Sequence, residues 1–227
     1  MELNKKTVVF IILFMVLGLI SMQIKLTHLA GSKASFTGFD AFAPVAGAFL
    51  GPIFGAISVL LMEAANFLIH GGQTHDAGTL IRFIPPIFAT IYFARKTKWN
   101  FLIPLLAIVS FNLSPVGRSV WFFSLYWLIP VACYFWQDKS ILVKSLGATF
   151  TAHAVGGAIW IHAFALPKIV WLGLIPVVAA ERLLFTLGIV AAYLLMNNLV
   201  NILVKKKIIP EGLPINSKYL LHGKASF

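Results

Sequence analysis

The chain is a series of apolar segments separated by short polar stretches. Eight segments can be drawn, at about 7–24, 41–50, 53–69, 79–94, 100–113, 119–136, 143–165 and 170–204. An α-helix rises about 1.5 Å per residue, and the hydrocarbon core of a bilayer is ~30 Å thick. The segment 41–50 is too short to cross alone, so we expect a half-span supported by its neighbours. The pattern predicts an all-α polytopic membrane protein, a bundle of six to eight transmembrane segments.

A Gly-Pro pair interrupts the long apolar stretch of residues 43–66. Proline removes a helical hydrogen bond, and in hydrocarbon the freed backbone group must be satisfied by neighbouring protein. Gly47, Gly51 and Gly55 recur every four residues around Pro52, a spacing that lets two helix backbones approach closely. We therefore expect a broken hairpin near the N-terminal third of the chain. Its three glycines should contact a neighbouring helix at backbone distance.

The composition excludes most soluble classes of protein. Hydrophobic residues make up 59% of the 227 and charged residues 11%, and the mean hydropathy is +0.91. Residues 1–207 are predicted to form one integral membrane domain, followed by a loosely ordered cytoplasmic tail at 208–227. The first segment is interpreted as a span, because no small-residue cleavage site follows it cleanly. A single cysteine, Cys133, excludes internal disulfides and cysteine metal clusters.

The net charge of +11 is explained by the positive-inside rule, so nucleic acid is not an expected partner. If the N-terminus is inside and the chain is split at Gly51-Pro52, twelve basic residues lie inside and five outside. The inner set is Lys5, Lys6, Arg95, Lys96, Lys98, Lys139, Lys144, Lys205, Lys206, Lys207, Lys218 and Lys224, and the outer set is Lys25, Lys33, Arg82, Arg118 and Lys168. Treating 41–69 as one crossing weakens this bias. The charges predict a multi-pass protein of the cell membrane with both termini in the cytoplasm.

Polar residues within and beside the apolar segments gather on the outer side of this topology. Charged side chains at membrane depth normally face protein or water rather than lipid. We therefore expect an outward-opening solute site, capped by the loops at 32–40 and 71–78. The candidate substrate-binding residues are Glu63, Asn66, Arg82, Asn112, Arg118, Trp121, Trp160, Glu181 and Arg182.

The sharpest candidate pair is Glu181-Arg182. Adjacent helical residues point about 100° apart, so each is expected to need a partner other than its neighbour. Arg182 either binds a carboxylate or phosphate of a substrate or forms a structural ion pair, for example with Glu63. His153 lies among small residues, and a hydrogen bond across a close helix contact is its expected role.

Two further groups leave alternatives open. His70, His75 and Asp76 carry the side chains that a divalent metal prefers, but no helix preorganises them, so no metal or other cofactor is assigned. The aromatic residues around Trp121 and Tyr126 either stack on a planar ring or form an interfacial belt. No hydrolase, zinc-protease or phosphate-binding motif occurs, so neither an enzymatic activity nor an intrinsic ATPase is predicted.

Residues 46–55, AGAFLGPIFG, resemble the substrate-binding S components of energy-coupling-factor (ECF) vitamin transporters. In that family a short helix ends in Leu-Gly-Pro and a longer one opens with Pro-x-x-Gly. An outer loop and a helix ending in a basic cluster follow. The matching residues are Pro44, Leu50, Gly51, Pro52 and Gly55, then 83–94 with Arg95 and Lys96. The resemblance covers about 41–98 and is that of a divergent member. The family usually has six spans, and its first helix carries an alanine-spaced docking motif, where this chain offers only Gly18 and Ser21.

The resemblance implies a substrate-capture subunit of a vitamin-class importer that binds a small-molecule solute from the outer face of the lipid bilayer. Its implied partners are a membrane coupling subunit and ATPase subunits. One alternative is a self-sufficient cation or metal transporter or channel that uses Glu63, His70 and Asp76. A second is a small intramembrane enzyme that acts on a lipid headgroup, with His153 or Glu181 as the base.

Overall fold

The computed structural model describes residues 5–73 and 77–221, whose regular secondary structure is almost entirely helical. The helices are α1 (Lys5–Met22), α2 (Phe39–Ile69), α3 (Ala77–Ile81), α4 (Ile84–Ala94), α5 (Lys98–Leu113), α6 (Pro115–Ser119), α7 (Leu128–Cys133), α8 (Ile141–Ala163) and α9 (Lys168–Lys205). Two 3₁₀ helices span Trp121–Trp127 and Ser217–Tyr219. Strands β1 (Lys25–His28) and β2 (Ser35–Thr37) form an antiparallel β-hairpin, which the hydropathy pattern did not predict.

Several helices have the length and composition of membrane spans. By length and composition alone, three helical stretches among the described residues are long and apolar enough to cross a bilayer: Phe39–Ile69, which is interrupted at Gly51, Ala77–Ala94, which comprises α3 and α4, and Lys168–Lys205. The shorter helices Val8–Met22, Lys98–Leu113 and Trp121–Cys133 are also apolar. Large apolar side chains stay exposed on the outer faces, for example Leu68 at 70%, Leu113 at 71% and Leu195 at 71%. So much exposed apolar surface indicates a location in a membrane.

Helix α2 is broken at Gly51, which has φ 78° and ψ 177°. A Cβ atom placed on Gly55 would lie 3.0 Å from the Cα of Gly47, whereas residues eight apart in a straight helix are about 12 Å apart. The two halves of α2 therefore fold back against each other. The positive φ at Gly51 is the reason for glycine there, since other residues adopt it only with strain.

The three glycines of α2 have different surroundings. A Cβ on Gly47 would meet the carbonyl oxygen of Thr90 and lie 3.0 Å from the backbone nitrogen of Ala94, so α2 contacts α4 at backbone distance. Gly55 contacts Gly47 itself. A Cβ on Gly51 would have no described atom within 4 Å. Gly51 thus serves the turn, rather than the helix contact expected from its spacing.

The predicted segment 119–136 is not one long helix. It consists of the 3₁₀ helix Trp121–Trp127, the short α7 and a following turn. Phe123 and Trp127 are buried, and their rings lie 5.9 Å and 5.1 Å from that of Phe111 on α5. Aromatic packing, rather than helical periodicity, positions this segment.

The chain after α9 folds back onto the bundle. Ile209 and Leu213 are buried. The Asn197 side chain exchanges two hydrogen bonds with the backbone of Asn216, at 3.0 Å and 2.8 Å. Asn198 binds the carbonyl of Tyr219 at 3.0 Å and the backbone N–H of Leu221 at 2.8 Å. The described part of the tail is therefore docked, unlike the loosely ordered tail expected, while 222–227 lie outside the described residues.

The glycine contacts predict a difference between two matched substitutions. Gly47→Ala should lower the free energy of unfolding by about 1–3 kcal/mol, because the new Cβ would overlap the backbone of α4. Gly173→Ala is the control, since Gly173 is exposed on α9 and its added Cβ would meet no described atom within 4 Å. Chemical denaturation in detergent micelles measures both. Equal stability of the two variants would contradict the close contact.

The docked tail predicts a second difference. Asn197→Ala should cost about 2 kcal/mol and speed proteolysis after α9, because two backbone groups of Asn216 lose their partner. Glu211→Ala, at an exposed position in the same segment, should change neither quantity. Limited proteolysis and unfolding of both variants test this. A tail equally protected in the two variants would argue against the asparagine contacts.

Candidate functional site

A cavity of about 120 Å³ lies among the β-hairpin, the start of α4, the second half of α8 and the first half of α9. Its lining combines charged, imidazole and aromatic side chains. They are His28, Asp40, Arg82, His153, Glu181 and Arg182, with Phe36, Phe123, Trp160 and Trp171. Four of the nine residues predicted to bind substrate meet here, namely Arg82, Trp160, Glu181 and Arg182.

The first charged pair in the cavity is Asp40 with Arg82. Nη1 and Nη2 of Arg82 donate to Oδ1 and Oδ2 of Asp40, at 3.1 Å and 3.0 Å. Asp40 also accepts the backbone N–H of Thr37 at 2.8 Å. The two side chains are only 12% and 11% exposed, and a bidentate pair in such surroundings is among the stronger polar contacts in proteins. It joins the first turn of α2 to the turn before α4.

The second pair is Glu181 with Arg182 on α9. Arg182 Nη2 lies 3.5 Å from Glu181 Oε2, so the expectation that these neighbours could not pair with each other is wrong. Both side chains are long enough to turn toward one side. The guanidinium of Arg182 packs against two adjoining aromatic rings, 4.5 Å from the centroid of Phe36 and 4.7 Å from that of Phe185. Thr27 of the β-hairpin donates to Glu181 Oε1 at 2.6 Å.

Several buried polar atoms around the cavity keep unused hydrogen-bonding capacity. Within the described residues, no acceptor is bonded to Nε or Nη2 of Arg182 or to Nε1 of Trp171. The same part of the chain provides no donor to Oε1 of Glu63, which lies outside the cavity lining but within electrostatic range of Arg82. Each such group costs about 1–3 kcal/mol when it stays unpaired. Most of this capacity is donor capacity.

His153 is fixed as a neutral donor. Its Nδ1 accepts the indole N–H of Trp127 at 3.0 Å. An indole nitrogen can only donate, so Nδ1 is unprotonated and Nε2 carries the ring hydrogen. The bond links the 3₁₀ helix to α8, which agrees with the role expected for His153. The imidazole therefore adds a further N–H to the cavity wall.

The β-hairpin covers the cavity through contacts with α8 and α9. Trp160 donates its indole N–H to the carbonyl of Ala30 at 3.0 Å. The Phe36 ring lies over Arg182 and, at 4.9 Å, over Arg82. The predicted cap at 32–40 thus includes a strand. In the second predicted cap, at 71–78, residues 74–76 lie outside the described part of the chain.

The other predicted residues lie outside this cavity. Asn66 accepts from Gln23 at 3.0 Å, and Asn112 donates to Ser124 at 3.1 Å, so both amides have protein partners. Arg118 and Trp121 are exposed. These side chains belong to helix ends and contacts around the bundle rather than to the lining that contains Arg182.

The metal hypothesis gains no support from the described residues. No group of three His, Cys, Asp or Glu side chains among them is arranged to hold a metal ion. His70 turns back to its own helix, with Nδ1 2.8 Å from the carbonyl oxygen of Asn66. His75 and Asp76 lie outside the described residues.

Sequence reasoning missed several cavity residues. Asp40 is absent from the predicted site residues, although a lone carboxylate directly before an apolar run is a usable signal. Phe36 and Trp171 carried no such signal, since single aromatic residues are common near membrane interfaces.

Comparison with known proteins gives one distant relative. An uncharacterised protein of Methanocaldococcus jannaschii is 23% identical over 179 residues, which covers 70% of this chain and 60% of the relative. The matched region thus spans less than two thirds of that protein. No protein-family model matches the chain. No solved structure matches it either.

The Asp40–Arg82 pair predicts a strong energetic coupling. Asp40→Asn and Arg82→Gln should each lower the free energy of unfolding by about 3 kcal/mol, because each leaves an unpaired charge in low-dielectric surroundings. The double variant should lose less than the sum, with a coupling of at least about 1 kcal/mol. Lys96→Gln is the control. It breaks an outlying pair with Asp138 at 3.9 Å and should cost under about 1 kcal/mol. Additive losses at Asp40 and Arg82 would contradict a direct pair.

Proposed function

We propose that this protein is the membrane-embedded substrate-capture subunit of a small-solute, vitamin-class importer. The solute binds from the outer face, in the cavity between the β-hairpin and helices α4, α8 and α9. The observation that carries the proposal is the cavity lining itself. Two guanidinium groups and two carboxylates line a small space among membrane-length helices, and buried donors there keep unused capacity. Charged groups at membrane depth are expensive and usually functional.

The distribution of basic residues supports the orientation. A second cavity, of about 440 Å³, lies near Ala94, Lys144 and Tyr193, toward the opposite ends of the helices whose other halves line the first cavity. The basic residues at that opposite end are Arg95, Lys96, Lys98, Lys139, Lys144 and Lys205–Lys207. Such a cluster favours the cytoplasm. The candidate site then faces outward, and both termini are cytoplasmic.

The fold-back at Gly51 supports the proposed topology. A chain that reverses there enters the membrane and returns to the outer side without crossing between 39 and 69, as the charge pattern requires. Backbone contact between Gly47 and Gly55, and between Gly47 and α4, would let neighbouring protein shield the broken backbone from lipid. The proposed bundle has six to eight segments, with α2 as a broken Gly-Pro hairpin.

The transport cycle follows from this arrangement. The β-hairpin seals the outer side of the site through Thr27, Ala30 and Phe36, so solute enters when these contacts open and is shielded when they close. Release to the cytoplasm would need a larger motion of the subunit. A membrane coupling subunit with ATPase partners would supply the energy, since the chain has no phosphate-binding motif of its own.

Purification tests the proposal directly. The protein, extracted gently from cells and washed, should retain a small solute that native mass spectrometry detects and identifies. Cells that produce the protein should accumulate that solute, and a coupling subunit should co-purify. If the purified protein retains no solute, and cells with and without the protein accumulate the same small molecules to the same level, the proposal is overturned.

Arg182→Gln should lower the affinity for the retained solute by about 2–3 kcal/mol while the protein still assembles, because a charge-assisted contact is lost. Arg118→Gln is the matched control, since Arg118 is exposed and outside the cavity. Equilibrium dialysis with the identified solute measures both variants, and size-exclusion chromatography reports assembly. An equal loss of affinity in both variants would argue against the cavity as the site.

A further inference from the structure

We infer that the solute held by this cavity is a neutral planar cyclic amide rather than an organic anion. By cyclic amide we mean a ring that carries an N–H and a C=O at adjacent positions. This inference rests on the proposed function and narrows it to a chemical class. Three features of the cavity support it: its charge balance, the kind of hydrogen-bonding capacity it keeps, and its size.

The charge balance disfavours an anion. The guanidinium groups of Arg82 and Arg182 face Asp40 and Glu181, which already balance them. His153 is neutral through its bond to Trp127. A bound carboxylate would bring an uncompensated negative charge into surroundings of low dielectric, where such charges are costly.

Most of the unpaired polar groups around the cavity are N–H donors, which need acceptors on the solute. One carboxylate oxygen can also accept a hydrogen bond from it. Arg182 and Trp171 have buried N–H groups with no acceptor among the described residues, and His153 adds its Nε2–H. Next to these donors, Glu181 Oε2 lies 3.5 Å from Arg182 Nη2 and retains lone pairs. A neighbouring donor and acceptor form an edge that matches a cyclic amide. The ring C=O accepts from Arg182, and the ring N–H donates to Glu181.

The size and walls of the cavity fit a flat ring. The volume of about 120 Å³ is close to the ~150 Å³ of an engineered apolar cavity that accommodates benzene. Phe36, Phe123, Trp160 and Trp171 supply aromatic walls. A single six-membered ring is therefore the expected core of the solute.

Matched ring compounds test the inference on the full-length protein in nanodiscs. The cyclic amides 2-pyridone and uracil are compared with pyridine and pyrimidine, which share their rings but lack the amide edge. Orotate, which is uracil with a carboxylate, tests the charge. Isothermal titration calorimetry should show each amide binding at least about ten-fold more tightly than its parent ring, because the parent leaves buried polar groups unpaired. Uracil should exceed orotate by a similar factor. No preference for the amides, or tighter binding of orotate, would overturn the inference.

Two substitutions test the charge balance and the indole hydrogen bond separately. Glu181→Gln removes one negative charge and should narrow the gap between uracil and orotate, whereas Arg118→Gln should leave it unchanged. Trp171→Phe keeps an aromatic ring but removes the indole donor, so uracil affinity should fall about three- to ten-fold, while the affinity of benzene, which has no ring nitrogen or carbonyl to accept a hydrogen bond, stays constant. An unchanged gap in Glu181→Gln would contradict the charge argument.

The outcome also distinguishes this inference from the proposed function. If the purified protein retains and imports an organic anion, the importer function stands and the cyclic-amide inference fails. If it retains no solute, imports none and binds none of the ring compounds, both fail.

Discussion

The burial of two arginines inside an apolar bundle is the constraint on which this structure depends. A guanidinium group removed from water needs a carboxylate and further polar or aromatic contacts, and here each arginine has both. Meeting that need brings distant parts of the chain together. Asp40 ties α2 to the turn before α4, and Glu181 ties α9 to Thr27 of the β-hairpin. The cavity lies between these two ion pairs, Asp40–Arg82 and Glu181–Arg182.

Close backbone packing of α4 against α2 and α8 supports the paired arginines and the cavity. The two halves of α2 and the helix α4 approach so closely at Gly47 that no side chain fits between them. Tyr92 on the same α4 fills the space beside Gly147 of α8 and donates to the carbonyl of Pro130 at 3.0 Å. Helix α4 is thus held on two sides, which keeps its N-terminal end, and Arg82 beside it, in place. A binding site needs such rigid support to keep its donors aligned.

Hydropathy and residue chemistry predicted the coarse architecture and part of the site. Long apolar runs predicted a nearly all-helical membrane protein, and the scarcity of charge at membrane depth drew attention to Arg182 and Glu181. The Gly-Pro pair predicted an interruption of the helix, and Gly51 breaks α2 there. The predicted helices and their interruption agree with the structure because each depends on a local property, either a run of apolar residues or an unsatisfied backbone group, that is visible in one stretch of sequence.

The rest depends on contacts between distant residues, which no local pattern records. The β-hairpin is short and half-polar, so its strands resemble an ordinary loop, and Phe36 acquires its role only when two arginines meet beneath it. The pairing of Glu181 with its neighbour follows from the bending of long side chains within a crowded site, which helical geometry alone does not predict. The docking of the tail depends on Asn197 and Asn198, whose side-chain amides on α9 form hydrogen bonds with the backbone of the tail.

That docked tail has a consequence for biosynthesis. Residues 209–221 are the last of the described chain to leave the ribosome, yet Ile209 and Leu213 complete a core that already contains Phe10 and Phe14 from the first helix. The bundle therefore cannot finish packing before residues 209–221 have been synthesised. A nascent chain that stalls before residue 209 would expose apolar side chains and free asparagine amides at its basic end. Membrane quality control could use such exposed groups to distinguish unfinished copies from complete ones.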